Sequence, residues 1–464
     1  MNRFEAGETT LEFNSLMNRP IFLLVLVFLV ASSVARSGEK PNILLIVSDD
    51  HGYADAGFQG CTDIPTPHLD QLAATGVRCS NGYVSHPFCS PTRAALMTGR
   101  YQQRFGHENN PRYDPADTTE GLPLGETLLP VFLQKAGYVT GWVGKWHLGA
   151  TPAFHPENRG FAETFGFIGG GHKYQNWSVN AKVEYTVPIE RNGTPVEVTE
   201  HLTTAFGHEA ADYVTRHRDE SWFLYLAFNA PHTPHEPTEE RLARFESIPD
   251  PVRRMYAAQV SLLDDAIGET LDALRATGQE ENTLVFFFSD NGGPITVNGS
   301  SNAPLRGAKG DVYEGGTRVP FVVRWPAKFP SGSTYEWPVS SLDVFATSLG
   351  VAGEAMPSDR PYDGVNLVPY LSGENKSAPH DRLFWRTTNE LRAIREGNAK
   401  LVRVGTRPDE LYDLGKDVGE STDLSISRAE EQSRLAAVYA EWEAQMIPPA
   451  FKGPSGKKAK AAKE

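Results

Sequence analysis

Short, unbroken apolar runs of strand length, separated by stretches with helical periodicity, most constrain what this chain can fold into. Asn42–Ser48 is such a run, and similar ones recur at Tyr138–Val143, Trp222–Phe228, Leu284–Ser289 and Val319–Arg324. A strand that is apolar at every position must be covered on both faces, as parallel strands are. Helical patterns lie between the runs, notably at Leu124–Ala136 and Val252–Thr277. The expected fold is α/β: a large, mainly parallel central sheet sandwiched by helices. In such sheets chemistry collects at the carboxyl ends of the strands.

Four of these strand ends deliver polar groups beside Gly or Pro. The first runs into Asp49-Asp50-His51-Gly52, the second into Gly144-Lys145-Trp146-His147-Leu148-Gly149. The third leads to Ala230-Pro231-His232-Thr233-Pro234-His235, the fourth to Asp290-Asn291-Gly292-Gly293. Asp49, Asp50 and Asp290, with the amide oxygen of Asn291, form an all-oxygen set suited to a hard divalent cation, Ca²⁺ or Mg²⁺. Taken singly, Asp49 or Asp290 could merely cap the turn after its strand. Both pairs at the ends of buried strands favour the cation.

Cys89-Ser90-Pro91-Thr92-Arg93 opens a helix that Gly99 closes, so Cys89 stands at a helix N-terminus, where negative charge is favoured. A cysteine protease would need a paired His and an oxyanion hole, and nothing local suggests one. Arg93 follows Cys89 by one helical turn on the same face.

Composition narrows the partners. The 464 residues carry a formal charge of −14, which argues against nucleic acid, since phosphate binding needs a basic face. Only three cysteines occur, so no disulfide framework holds the fold, although export would permit a Cys61–Cys79 pair. Ile21–Val30 has the length of a signal h-region, followed by the small residues Ser33-Val34-Ala35. Residues 1–35 therefore read as a signal region, with Met17 the better start, and the mature chain as secreted or periplasmic without a stable membrane span. A catalytic domain is expected over 40–375. A small C-terminal subdomain of antiparallel sheet plus helix (Arg428–Met446) is expected over 380–450, and a disordered basic tail over 451–464.

Cys-x-Pro-x-Arg followed by Thr98-Gly99 resembles the signature of the type I, formylglycine-dependent sulfatases of the alkaline phosphatase superfamily. Further blocks are similar, in the family's order: Asp49–Gly52, Thr66–Ala73, Gly144–Gly149, Ala230–His232, Ser289–Gly292, Arg306–Gly310, Glu314–Pro320 and Leu411–Leu414. The resemblance covers roughly residues 40–450. It implies that Cys89 is oxidised to formylglycine by a maturation enzyme. The hydrate of formylglycine is the nucleophile and gives a sulfated-enzyme intermediate. It implies Ca²⁺, in preference to Mg²⁺, held by Asp49, Asp50, Asp290 and Asn291 with residue 89. Arg93 supports the diol, and Lys145 and Lys309 neutralise the sulfuryl group. His147 is the base for sulfate release, and His232 the acid for the leaving oxygen. His235 lines the substrate pocket or exchanges roles with His232, and His51, His172 and Asp311 are further pocket candidates. The substrate would be a sulfated glycan or an aryl sulfate. A phosphate-ester or phosphonate hydrolase of the same superfamily is the alternative, and a non-catalytic carbohydrate-binding relative a more distant one.

Overall fold

The computed structural model describes residues 40–175, 177 and 184–453; the signal region and residues 454–464 of the tail lie outside them. The large sheet contains β1 (Asn42–Ser48), β2 (Val77–Cys79), β3 (Val139–Lys145), β4 (Glu163–Phe167), β5 (Ile189–Arg191), β6 (Thr194–Val196), β7 (Trp222–Ala227), β8 (Thr283–Ser289), β9 (Phe321–Arg324) and β10 (Ser333–Tyr335). Their order is β10-β2-β9-β8-β1-β7-β3-β4-β5-β6. The central strands β8, β1, β7, β3 and β4 are all parallel.

Alternation along β1 shows why the run had to be apolar throughout. Ile43, Leu45 and Val47 enter one core, while Leu44 and Ile46 enter the other. On the first face pack α2 (Cys89–Thr98), α3 (Leu129–Lys135) and α6 (Asp343–Val351), through Leu96, Leu133 and Phe345 among others. On the second pack α1 (Pro67–Thr75), α4 (Leu202–Arg216) and α5 (Pro251–Ala276), through Leu69, Phe206 and Ile267.

Two elements differ from expectation. The run Val319–Arg324 forms a shorter strand, and β9 pairs antiparallel with β8, so it flanks the parallel core instead of extending it. The helix expected over Leu124–Ala136 is confined to Leu129–Lys135. Pro130 sits in its first turn, and Pro123 and Gly125 upstream do not propagate a helix. Cys61 and Cys79 are free thiols; Cys79 is buried in β2, whereas Cys61 contacts Asp63 and Arg253. Among the described residues no helix is long and apolar enough to cross a membrane.

The C-terminal strands β11 (Arg382–Arg386), β12 (Leu391–Glu396), β13 (Ala399–Val404) and β14 (Glu410–Asp413) form an antiparallel sheet in that order. Helix α7 (Ala429–Glu443) covers it, with Leu435, Tyr439 and Trp442 against Ile394, Leu401 and Leu411. A buried ion cluster joins this sheet to the main body. Lys400 Nζ lies 2.8 Å from Glu314 Oε1 and 2.9 Å from Glu420 Oε1. Glu314 also pairs with Arg318 and accepts from Tyr83, whose hydroxyl contacts Arg395.

One ammonium thus faces two buried carboxyls. Burial pushes Glu420 up to about 7, with Lys400 opposing and Glu314 adding to the shift. Burial also opposes ionisation of Glu314, but Lys400 and Arg318 hold it down at about 2. A carboxyl raised in the folded state contributes stability at low pH that is lost as pH rises toward and through its folded value. The native chain should therefore lose this contribution to thermal stability between about pH 5 and pH 8, a loss set against the opposite trend of the buried histidines. Glu420→Gln should flatten that slope and exceed the native Tm at the alkaline end. An unchanged slope, or a Glu420→Gln protein less stable at alkaline pH, would remove Glu420 from this account.

Candidate active site

The carboxyl edge of β1, β3, β7 and β8 gathers the polar groups, and backbone bonds hold the loops together. Asp49 N donates to Ala230 O at 3.0 Å, and Asp290 N to Ser48 O at 3.0 Å. Asp50 and His147 both adopt left-handed backbone, with φ of 62° and 61°. For non-glycine residues this conformation is costly and concentrates at functional sites. The turn at His147, beyond the end of β3 at Lys145, directs it into the site. Gly292 is needed where two loops meet, because a Cβ there would fall 1.8 Å from Gly315 O.

Asp49, Asp50, Asp290 and Cys89 offer ligand atoms that all lie within 4.8 Å of one another, and all four residues are buried. Three cations answer the three carboxylates. Lys145 Nζ is 2.6 Å from Asp49 Oδ2, and Lys309 Nζ is 2.7 Å from Asp50 Oδ1. Arg93 holds Asp290 Oδ2 through Nε at 2.9 Å and Nη2 at 2.7 Å, with Asp49 at 4.0 Å. Burial opposes ionisation of Asp49, but Lys145, His232, Arg93 and Lys309 hold its carboxyl far below the usual range. Burial and the charge of Asp49 push Asp290 up to about 6.

The donor set fits a hard divalent cation. Asn291 donates through Nδ2 to Asp50 Oδ1 at 2.7 Å, which leaves its Oδ1 buried with no hydrogen-bond partner. An orphaned amide oxygen beside three carboxylates is the missing ligand of an all-oxygen site for Ca²⁺. Asp49, Asp50, Asp290 and Asn291, with residue 89, would hold the ion.

Cys89 is the first residue of α2, with Sγ 3.5 Å from Asp49 Oδ1. Burial pushes its thiol up to about 12, so the helix terminus does not make it a thiolate. That disfavours the sulfur itself as nucleophile. The neighbouring Ser90 donates through Oγ to His147 O at 2.6 Å and accepts from His107 Nε2 at 2.7 Å. Its backbone N–H donates to Asn110 Oδ1. These contacts tie the helix start to the His147 loop.

The histidines divide by environment. His232 donates from Nδ1 to Thr233 O at 2.6 Å, which leaves Nε2 as its titrating atom, 3.5 Å from Asp50 Oδ2. Burial lowers its pKa, against the pull of Asp49 and Asp50. Burial, with Lys145 and Arg93, pushes His147 well below the ordinary range, and its Nδ1 is buried without a partner. His235 uses Nε2 on Pro231 O at 3.0 Å and packs edge-on against Tyr256. His51 lies buried between Asp55 O and the Phe287 ring, and His172 contacts two backbone carbonyls, so neither ring is free for a ligand. Asp311 accepts from Ala308 N and shapes the turn that presents Lys309.

Several contributors carried no pattern in the sequence. Tyr174 donates to the carbonyls of Asn229 and His232, and Asn298 to that of Asp50. Tyr225 lies 3.4 Å from Arg93 Nη1. Ser90 alone stood inside a recognisable motif.

A doubly covered parallel sheet with a cation-ready carboxylate cluster beside a helix-opening cysteine defines a metal-assisted ester hydrolase. The Sulfatase family model matches residues 41–354, and that of the N-sulphoglucosamine sulphohydrolase C-terminal region matches residues 308–445. The chain belongs to the sulfatase family, its type I, formylglycine-dependent branch. It is 35 % identical to human N-acetylgalactosamine-6-sulfatase, over 88 % of this chain and 87 % of the relative. It is similar to the crystal structure of Ps i-CgsB in complex with k-i-k-neocarrahexaose, with TM-score 0.86 and 36 % identity over 90 % of this chain and 96 % of the other. The phosphonate monoester hydrolase of Agrobacterium radiobacter shares the fold, with TM-score 0.65 and 22 % identity. The protein is a sulfatase-type hydrolase of sulfated carbohydrate or aryl substrates, using a formylglycine made from Cys89 and a divalent-cation site.

Ca²⁺ should raise the Tm of the native chain, by about 2.7 kcal/mol of stabilisation at a hundredfold excess over Kd. Asp290→Asn keeps the volume and a hydrogen-bond acceptor for Arg93, and should lose most of that shift. An equal Ca²⁺-dependent shift in Asp290→Asn would take this residue out of the cation site.

Proposed function

We propose that the chain removes sulfate from a sugar unit of a sulfated glycan after export, as a secreted or periplasmic enzyme matured at Cys89 by a formylglycine-generating enzyme. The charge balance of the site carries this reading. Three carboxylates matched by Arg93, Lys145 and Lys309 leave no net charge among these six groups, so a divalent cation makes the pocket positive. A sulfate ester is an anion, and released sulfate is a dianion; both are stabilised there. The relatives named N-acetylgalactosamine-6-sulfatase and the structure holding a neocarrahexaose support a sulfated sugar as the substrate. The h-region at Ile21–Val30 supports export.

When bound, the cation supplies Lewis acidity toward a sulfuryl oxygen. The formylglycine hydrate supplies a hydroxyl nucleophile and a second hydroxyl for sulfate release. Lys145 and Lys309 flank the carboxylates and clamp the charge that builds on the sulfuryl oxygens. Arg93 fixes Asp290 through Nε and Nη2. His232 delivers a proton from Nε2 to the leaving oxygen, with the Asp50 carboxylate stabilising its charged form. His147, held neutral by its surroundings, is suited to accept a proton as sulfate leaves. His235 supports the loop behind His232.

The reading is tested by sulfate release from a panel of sulfated mono-, oligo- and polysaccharides, run beside an aryl sulfate and an aryl phosphate. Sulfate release from a sugar is expected, and dominant phosphatase activity would overturn it. The leaving-group dependence tests His232. His232→Ala should lose roughly 10²–10⁴-fold on sugar sulfates and far less on an activated aryl sulfate, whose phenol leaves without protonation. Equal losses on both would pass the proton to another group, with His235 the first candidate.

A further inference from the structure

One aromatic residue beside the site is held in a conformation that packing alone does not explain. Tyr185 has φ 73°, left-handed backbone that a bulky side chain adopts only at a cost. Its backbone is pinned independently of the ring: Tyr185 O accepts from Lys173 N at 2.8 Å, and the residue bridges His172. The ring lies over Gly171, where a Cβ would come within 2.5 Å of Tyr185 Cε1, so the glycine makes room for it. The ring centroid is 6.2 Å from that of His232, with the planes tilted by 38°. The ring is half-buried. Burial, opposed by the nearby charges of Lys145 and Lys309, raises the pKa of the phenol, so these lysines and the ring share one environment.

A strained, half-buried ring next to the residue that protonates the leaving oxygen is placed to meet substrate. We propose that Tyr185 is a specificity-determining residue that contacts the leaving group: its ring is the wall against which the sugar or aryl ring packs while His232 addresses the ester oxygen. The inference rests on the sulfatase reading above and deepens it by naming what recognises the ring rather than the sulfate. Apolar faces of a sugar or phenyl ring bury well on an aromatic face.

The test is binding, measured by calorimetry with Ca²⁺ present in a Cys89→Ala background that cannot turn substrate over. The probes are N-acetylgalactosamine 6-sulfate, 4-nitrophenyl sulfate and inorganic sulfate, which has no ring. Adding Tyr185→Gly should weaken the two ring-bearing probes by about tenfold and leave inorganic sulfate within about twofold. Because glycine also relieves the left-handed backbone, Tm should hold or rise. Tyr185→Phe, which keeps the ring, should bind 4-nitrophenyl sulfate as the parent does. Unchanged binding of the ring-bearing probes would overturn the inference and leave the sulfatase reading standing. So would an equal loss for inorganic sulfate, or a fall in Tm that matches the loss of binding. If Cys89→Ala with Tyr185 intact bound none of the three probes, the functional reading itself would fail, and this inference with it.

Discussion

The structure depends on keeping three carboxylates buried together at one sheet edge. Asp49, Asp50 and Asp290 are all nearly inaccessible to solvent, and isolated charges in such a place would be expensive. Lys145, Lys309 and Arg93 make the arrangement tolerable by direct pairing. The same pairs leave oxygens facing one another around an orphaned Asn291 Oδ1, and place the side chain of residue 89 against them. The compensation is therefore incomplete by design: it holds the cluster together yet leaves a place for a cation. Breaking one member of such a set leaves its partner charged and buried, so these residues stand or fall as a group.

That requirement reaches far from the site. Lys309 sits on a loop between Arg306 and Glu314, and the loop is held from two sides. Gly310 N donates to Pro87 O, just ahead of the Cys89 helix. Arg306 donates to Tyr412 Oη and Glu420 O of the C-terminal subdomain, both at 2.8 Å. Tyr313 donates to Glu410, and Glu314 belongs to the Lys400 cluster. The small sheet thus supports the loop that brings the Lys309 ammonium to Asp50. This gives the Leu411–Leu414 segment a physical reason: Tyr412 is the hydroxyl that Arg306 reaches.

Much of this was legible in the residues. The run Asn42–Ser48 coincides with β1, because a strand covered on both faces has no polar position to blur its pattern. Asp49, Asp50, Lys145, His232, Asp290 and Asn291 lie at or beyond strand ends, where parallel sheets collect chemistry, and Cys89 and Arg93 share a helix face. What stayed hidden lacks periodicity. The antiparallel sense of β9 cannot be read from an apolar run, which looks the same in either direction. His51 and His172 are the same residue type as His147 and His232, yet carbonyl contacts from Asp55, Lys173 and Val187 commit their rings to structure. Tyr185 belongs to a loop without pattern, and only its backbone angle and its distance from His232 single it out.

The account turns on residue 89 acting through an oxidised side chain and not as a thiol. Mass spectrometry of the peptide containing residue 89, taken from enzyme of measured activity, addresses this most directly. The account predicts an aldehyde, or its hydrate, in place of the thiol, in a fraction of chains that rises and falls with specific activity. Full sulfatase activity in a preparation whose Cys89 is entirely unmodified thiol would contradict it.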